Sequence, residues 1–345
     1  MRVEEVPGRN RNFRVLGGAD RNLFLKQAPP DESGAAGPLA LEASLYDWIA
    51  GDARATQLRP AVPHRRHWDA ERSVLVLDLV AGADHPYVLA ADAPPEYLTA
   101  ARDLLANALA GCHRLSSAAL AQRDLHLPQS APWIFDLARP SPSSLSELSP
   151  AQLQLIQALQ CQPDAVAALD RLRREWRPTR LIHGDVKWSN VVVQLDGAGV
   201  PNHLVLLDWE MAQAGDPAWD VGAVLHSFIT EAVLGLEAAR GTTAEAAVEM
   251  LGPLVPSLHP AHRDFWTTYR TAAGLTDIEA EALLDRLPGH MAARLIKSAY
   301  EWCQAEGQMP RSAAAILQFG INMLLRPDRV RGVILGLAGG EAARR

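Results

Sequence analysis

Two carboxylates and one carboxamide stand at spacings that could hold a divalent cation. Asp185 lies in Leu181-Ile182-His183-Gly184-Asp185-Val186-Lys187-Trp188-Ser189-Asn190, which ends on the second residue, Asn190. The third is Asp208, in Asp208-Trp209-Glu210. Between Asn190 and Asp208 run two apolar stretches around Asp196-Gly197-Ala198-Gly199. This predicts a hairpin with strands over 190–195 and 203–207. Asn190 would open its first strand and Asp208 would follow its second, and antiparallel pairing sets those two ends side by side. Asp185, five residues earlier, converges on the same end, and Lys187 can project into it. Two carboxylates and an amide oxygen make a hard-oxygen site. Such a site suits Mg²⁺, which leaves coordination positions for phosphate oxygens. Zinc would call for His and Cys.

A second signal is a count. Of 33 Lys+Arg residues, only Lys26, Lys187 and Lys297 are lysine. In a chain that uses arginine for general positive charge, the rare lysines are places to ask whether a compact ammonium is needed. Lys26 sits inside the apolar run Asn22-Leu23-Phe24-Leu25-Lys26-Gln27, and Lys187 lies two residues past Asp185.

The elements that must carry these residues fall into two regions. Arg2–Val6, Asn12–Leu16 and Asn22–Gln27 read as strands, the last two joined by a turn through Gly17-Gly18-Ala19-Asp20. After the loop APPDESGAAGP, a helix is expected over about 39–49, with Leu41, Leu45 and Trp48 facing a core. Residues 73–79 (SVLVLDL) read as a buried strand. Helices are expected over 97–115 and 151–176, with a Pro/Ser-rich connector at 140–149, and nearly everything from 242 onward reads as amphipathic helix. No repeat of fixed period is present. The plan is α+β: a small β-rich N-lobe over 1–80, a connector at 81–84, and a large mainly helical C-lobe over 85–345.

The segment H-G-D-x-x-x-x-N followed by D-x-E resembles the aminoglycoside phosphotransferase and choline kinase branch of the protein-kinase-like fold, which is bilobal. The resemblance implies transfer of the γ-phosphoryl group of ATP or GTP to a hydroxyl, with Mg²⁺. Position by position, it makes Asp185 the catalytic base and Asn190 and Asp208 the metal ligands, with His183 bracing the loop. Lys187 occupies the D-x-K position that reaches the transferring phosphate. Lys26 becomes the strand lysine on the phosphates, paired with Glu42 of the following helix. Leu77 would line the back of the adenine pocket, with the Asp78 carbonyl and Val80 amide on the adenine edge. Gly215-Asp216-Pro217-Ala218-Trp219-Asp220 matches the G-D-P-x-x-D at a helix start, with Asp216 as N-cap and Asp220 bracing the catalytic loop. The sequence departs from the pattern at Pro7-Gly8-Arg9-Asn10-Arg11-Asn12, where a phosphate-covering loop should be glycine-rich. Arg9 and Arg11 there read as surface arginines.

The resemblance leaves the acceptor open. A small polyol, aminoglycoside or amino-alcohol is one class. A Ser/Thr peptide in a natural-product pathway, with a partner lyase, is another. A nucleotide-binding pseudokinase or scaffold is a different class again, weighed against by the presence of base, metal ligands and strand lysine together. The whole-chain numbers agree with an enzyme of this kind. The 345 residues are 48% hydrophobic and 21% charged, enough for a sizeable core. A net charge of -7 argues against nucleic acid as a partner. No apolar run approaches the ~18–20 residues that span a bilayer, so no membrane association is expected. Cys112, Cys161 and Cys303 are widely spaced, which fits a reducing, cytoplasmic setting.

Overall fold

The computed structural model describes residues 1–17, 22–29, 36–80, 82–86, 93–121, 125–240 and 244–337, with backbone only at 36, 84, 144, 235–240 and 244–254. The turn expected through 18–20, most of the loop at 28–38 and residue 81 of the connector lie outside the described residues. The chain divides into two compact units. One comprises 1–129 and 179–214; the other comprises 130–178 and 215–345.

The first unit is built on a five-stranded antiparallel sheet. Its strands are β1 (Arg2–Val6), β2 (Arg11–Leu16), β3 (Asn22–Gln27), β4 (Arg65–Asp69) and β5 (Val74–Asp78), in the order β1-β2-β3-β5-β4. Strand β4 is the element that sequence patterning passes over. Its residues Arg-Arg-His-Trp-Asp do not alternate apolar with polar, as befits an edge strand with a bulge between Arg65 and His67. Register pairs Asn12 with Lys26, Arg14 with Phe24 and Lys26 with Leu75. Helix α1 (Ala36–Gly51) fully buries Leu39, Leu45 and Ile49, each worth about 1.5–3 kcal/mol. Leu41, expected at the core, is half-buried, while Glu42 one position on is fully buried. A second, three-stranded sheet flanks helices α2 (Pro95–His113) and α3 (Ser117–Ala121) in sequence: β6 (Ala83–Asp84) pairs with β8 (Val191–Leu195), and β8 pairs with β9 (Pro201–Leu206). Strand β7 (Arg180–Ile182) precedes the H-G-D segment. The β8–β9 hairpin runs as expected, closed by Asp196, whose Oδ1 accepts from the Ala198 and Val200 amides.

The second unit is helical. The connector at 140–149 contains one short helix, α4 (Pro142–Leu145), and the expected helix over 151–176 is two, α5 (Pro150–Gln160) and α6 (Pro163–Arg174). Pro163 is the reason: its ring suits a first helical turn but cannot continue an existing one. Four longer helices follow, α7 (Pro217–Arg240), α8 (Ala244–Ala273), α9 (Asp277–Trp302) and α10 (Arg311–Leu325). Among the described residues no helix is long and apolar enough to cross a membrane. The three cysteines are free thiols, two of them buried.

Three histidines are buried in this unit. His226 is pushed down to about 3 by burial and the nearby Arg294 charge. Burial pushes His262 down to about 4, although both ring nitrogens face carbonyls, those of Ile334 and Leu225. His290, also at about 4, lies among Phe135, Trp176 and Trp219, with burial outweighing the attraction of Asp216. Each binds a proton in the unfolded chain below about pH 6.5 but not in the folded one. Stability is therefore full above pH 6.5 and falls as pH drops towards 4, by up to about 1.4 kcal/mol per pH unit per histidine. Glu231 and Glu210, both raised by burial, act in the opposite direction but are two groups against three. Thermal midpoints measured from pH 7.5 to 4.5 should fall steeply below 6.5, and His290→Phe should flatten the slope. A midpoint constant over that range would show that the buried rings are not neutral in the fold.

Candidate active site

Strand alternation builds the site. Along the sheet, Glu4 and Val6 of β1, Asn12, Arg14 and Leu16 of β2, and Asn22, Phe24 and Lys26 of β3 share one face. All of them line a cavity of about 590 Å³. Its remaining wall includes Leu77, Asp78, Leu79 and Val80 at the end of β5, and Asn190, Asp208 and Glu210 at the hairpin end. Of the expected nucleotide residues, Lys26, Leu77, Asp78 and Val80 thus reach one cavity, with Leu77 nearly inaccessible to solvent. The Asp78 side chain itself turns to Arg66, at 2.5 Å.

Lys26 and Glu42 meet as expected. The Lys26 ammonium donates to both Glu42 oxygens at 2.9 Å and to Asp208 Oδ1 at 2.6 Å. Burial alone would lower the Lys26 pKa, but Glu42 and Asp208 outweigh it and raise the group above its ordinary range. Glu42 takes two further donors, the Tyr46 hydroxyl at 2.7 Å and the Trp209 backbone amide at 3.1 Å. One buried carboxylate therefore ties α1 to β3 and to the turn after β9. Tyr46 lies one helical turn from Glu42, and no motif in the sequence marks it as part of the site. Its hydroxyl is held far above its usual pKa by burial and by the Glu42 charge.

The second cluster is the H-G-D loop. Asp185 Oδ2 accepts from Lys187 Nζ at 2.7 Å. Asn190 turns its amide nitrogen to the Asp185 carbonyl at 3.0 Å, with Asp185 Oδ2 at 3.4 Å. The Leu207 amide donates to the Asn190 carbonyl at 2.8 Å, which sets Asp208 beside Asn190, as the hairpin register requires. His183 is fully buried: its Nε2 donates to the Leu207 carbonyl at 2.9 Å, and its Nδ1 accepts from the Asp185 amide at 3.3 Å. The ring also lies against Trp209, 4.7 Å between centroids. Gly184 has φ +83°, and a Cβ there would stand 2.3 Å from the Met211 carbonyl oxygen. Asp208 itself is left-handed at φ 66°, a conformation that aspartate tolerates better than most side chains.

Asp220 is buried in the first turn of α7, in the second unit, where Asp216 Oδ1 accepts the Ala218 amide as a cap. Asp216 also receives Arg286 at 2.7 Å. Burial would raise its carboxyl; Arg286 and His290 hold it below the ordinary value instead.

The donor set fits a hard cation. Asp208 keeps Oδ2 beyond the oxygen given to Lys26, and Asn190 keeps its amide oxygen beyond the nitrogen given to Asp185. Among the described residues no group of three or more His, Cys, Asp or Glu side chains could hold a metal on its own. A cation here would need phosphate oxygens to complete its shell, which is the habit of Mg²⁺.

The profile of the phosphotransferase enzyme family matches residues 3–254. The chain belongs to this family. No curated protein matches the phosphotransferase in sequence. Solved structures do match it in fold. An ethanolamine kinase of Plasmodium vivax is 11% identical, with 92% of this chain and 81% of the other covered and a TM-score of 0.55. A candidate aminoglycoside phosphotransferase of Ralstonia eutropha is 15% identical over 94% and 92%, with a TM-score of 0.53. A macrolide 2'-phosphotransferase type I is 16% identical over 92% and 89%, with a TM-score of 0.50. The phosphotransferase accordingly has the protein-kinase-like fold, with a sheet-rich N-terminal part and a mainly helical remainder.

Its lysines can be compared directly. Lys26 serves three carboxylate oxygens in a buried position, and a planar guanidinium cannot replace that point charge. Lys297 lies on α9, away from the cavity, and pairs with Glu301 one helical turn away at 2.5 Å. Lys26→Arg and Lys187→Arg should each lower kcat/KM at least about tenfold, or about 1.4 kcal/mol, and Lys297→Arg should be nearly neutral. Three equally active variants would reduce the lysine count to coincidence.

Proposed function

We propose that this phosphotransferase moves the γ-phosphoryl group of ATP or GTP to a hydroxyl of a small molecule of the aminoglycoside, polyol or amino-alcohol kind. The observation that carries the reading is the meeting of buried Lys26 and Glu42 with the partly exposed Asp208 at the wall of the cavity. In this reading the base lies against Leu77, with the Asp78 carbonyl and Val80 amide on its edge. The phosphates extend towards Lys26, Asn190 and Asp208. Asp208 and Asn190 would hold Mg²⁺, which would supply positive charge against the phosphates. Asp185 accepts the proton of the acceptor hydroxyl as its oxygen attacks the γ-phosphorus. The bond from that phosphorus to the bridging oxygen breaks, and the nucleoside diphosphate leaves. Lys187 and Lys26 offset the charge that gathers on the transferring group. His183 supports the loop without touching substrate.

Small-molecule acceptors are favoured by the names of the structural relatives, an ethanolamine kinase and a macrolide phosphotransferase among them. The test is mass spectrometry of products after incubation with MgATP or MgGTP and a mixed panel of aminoglycosides, amino-alcohols, polyols and Ser/Thr peptides. One small molecule gaining a single phosphate is the expected result. Phosphorylation confined to the peptides would overturn the acceptor assignment.

A further inference from the structure

The loop between β1 and β2 lacks the glycines with which a phosphate-covering loop brings its backbone to the nucleotide. It is not left loose. Asn10, the last loop residue before β2, is only 8% exposed although Gly8 and Arg9 before it are exposed. The Asn10 Nδ2 donates to Glu210 Oε2 at 3.1 Å, across 200 residues of sequence. Arg9 stands 3.9 Å from the other Glu210 oxygen, more exposed and so more weakly coupled. Glu210 is the last residue of Asp208-Trp209-Glu210, so the loop is fastened to the same turn that carries Asp208. Asn10, Asn12, Lys26, Asp208 and Glu210 all line the one cavity.

We propose that Asn10 is a positioning residue that clasps the loop Pro7–Asn10 onto Glu210 and so closes the phosphate end of the cavity before nucleotide arrives. The inference rests on the cavity being the nucleotide site. A side-chain amide here does what glycine-rich loops do through backbone conformation: it fixes where the loop lies. The contact also gives the half-buried Glu210 carboxylate a donor and a single orientation. A loop held in place beforehand spares the nucleotide the entropy of ordering it, so the effect of the clasp belongs in nucleotide KM rather than in kcat.

The test uses the full chain and two readouts. Amide hydrogen exchange over loop residues 8–10 is followed in nucleotide-free protein, and KM for MgATP and kcat are measured separately. Asn10→Ala should speed exchange in the loop about tenfold and raise KM about tenfold, with kcat within about threefold. Asn10→Asp, which sets two carboxylates against each other, should open the loop at least as far. The isosteric exchange Asn10→Asp with Glu210→Gln restores one donor and one acceptor in reversed order, and it should return loop exchange to the wild-type rate. Unchanged loop exchange in Asn10→Ala overturns the clasp, as does an exchange variant as open as Asn10→Asp. The exchange arm needs no turnover. Loop behaviour as expected in a protein that transfers no phosphate would therefore sink the proposed function and spare the clasp. An active enzyme with an indifferent loop would do the reverse.

Discussion

Asp208→Asn is expected to abolish phosphoryl transfer, with kcat/KM falling by about a thousandfold or more. The substitution keeps size and removes one charge at the point where two demands meet. One oxygen of Asp208 already holds Lys26 at 2.6 Å, and the other is the charged donor proposed for Mg²⁺. A neutral amide is a weaker ligand for a hard cation and a weaker partner for a buried ammonium. Lys26 would retain Glu42, so the fold should survive, and a thermal midpoint close to wild type would show that it has. The deciding measurement is turnover against Mg²⁺ concentration. A variant that turns over normally, with an unaltered Mg²⁺ dependence, would remove Asp208 from the metal site.

Asp185→Asn should act differently. Nucleotide affinity is expected to stay within about threefold, and kcat to fall by about 10²–10⁴, the usual contribution of a general base. The main-chain bonds of the loop do not depend on the carboxylate: the Asp185 amide still meets His183, and the Asp185 carbonyl still meets Asn190. What is lost is a proton acceptor, and with it the charge facing Lys187. Calorimetric titration with nucleotide and single-turnover kinetics separate the two quantities. A large loss of affinity with kcat preserved would make Asp185 a binding residue.

The parts of the site that are legible in sequence are those governed by short-range rules. Hairpin register alone sets Asn190 beside Asp208, because the Val191–Leu206 pair fixes which residues flank the strand ends. The strand lysine is visible because an ammonium inside an apolar run is costly to bury without an anionic partner, and this chain otherwise uses arginine for positive charge. Its partner Glu42 is reached only through the family pattern, since a glutamate beside apolar helix residues usually faces water. Contacts that depend on tertiary folding leave no such trace. Nothing local marks Tyr46 as a donor to Glu42, or joins Asn10 to a carboxylate 200 residues away. Edge strand β4 escapes notice because solvent on its outer side relaxes the apolar alternation that identifies inner strands. The break between α5 and α6 does have a signal, Pro163, masked by the helical periodicity on either side of it.

The contact of Gly184 with the Met211 carbonyl bears on how this enzyme can change over generations. Any replacement at 184 adds a Cβ into an occupied position, at a backbone angle that favours glycine, and the obstacle is main chain that no side-chain rotation can clear. Gly197, in the hairpin turn, has open space where a Cβ would go. Two glycines thirteen positions apart thus face opposite evolutionary prospects. Position 197 is free to drift, although Gly199 two residues on, at φ +80°, is not. The H-G-D loop can alter its chemistry only at the residues flanking its glycine, so new acceptor preferences must arise elsewhere in the chain.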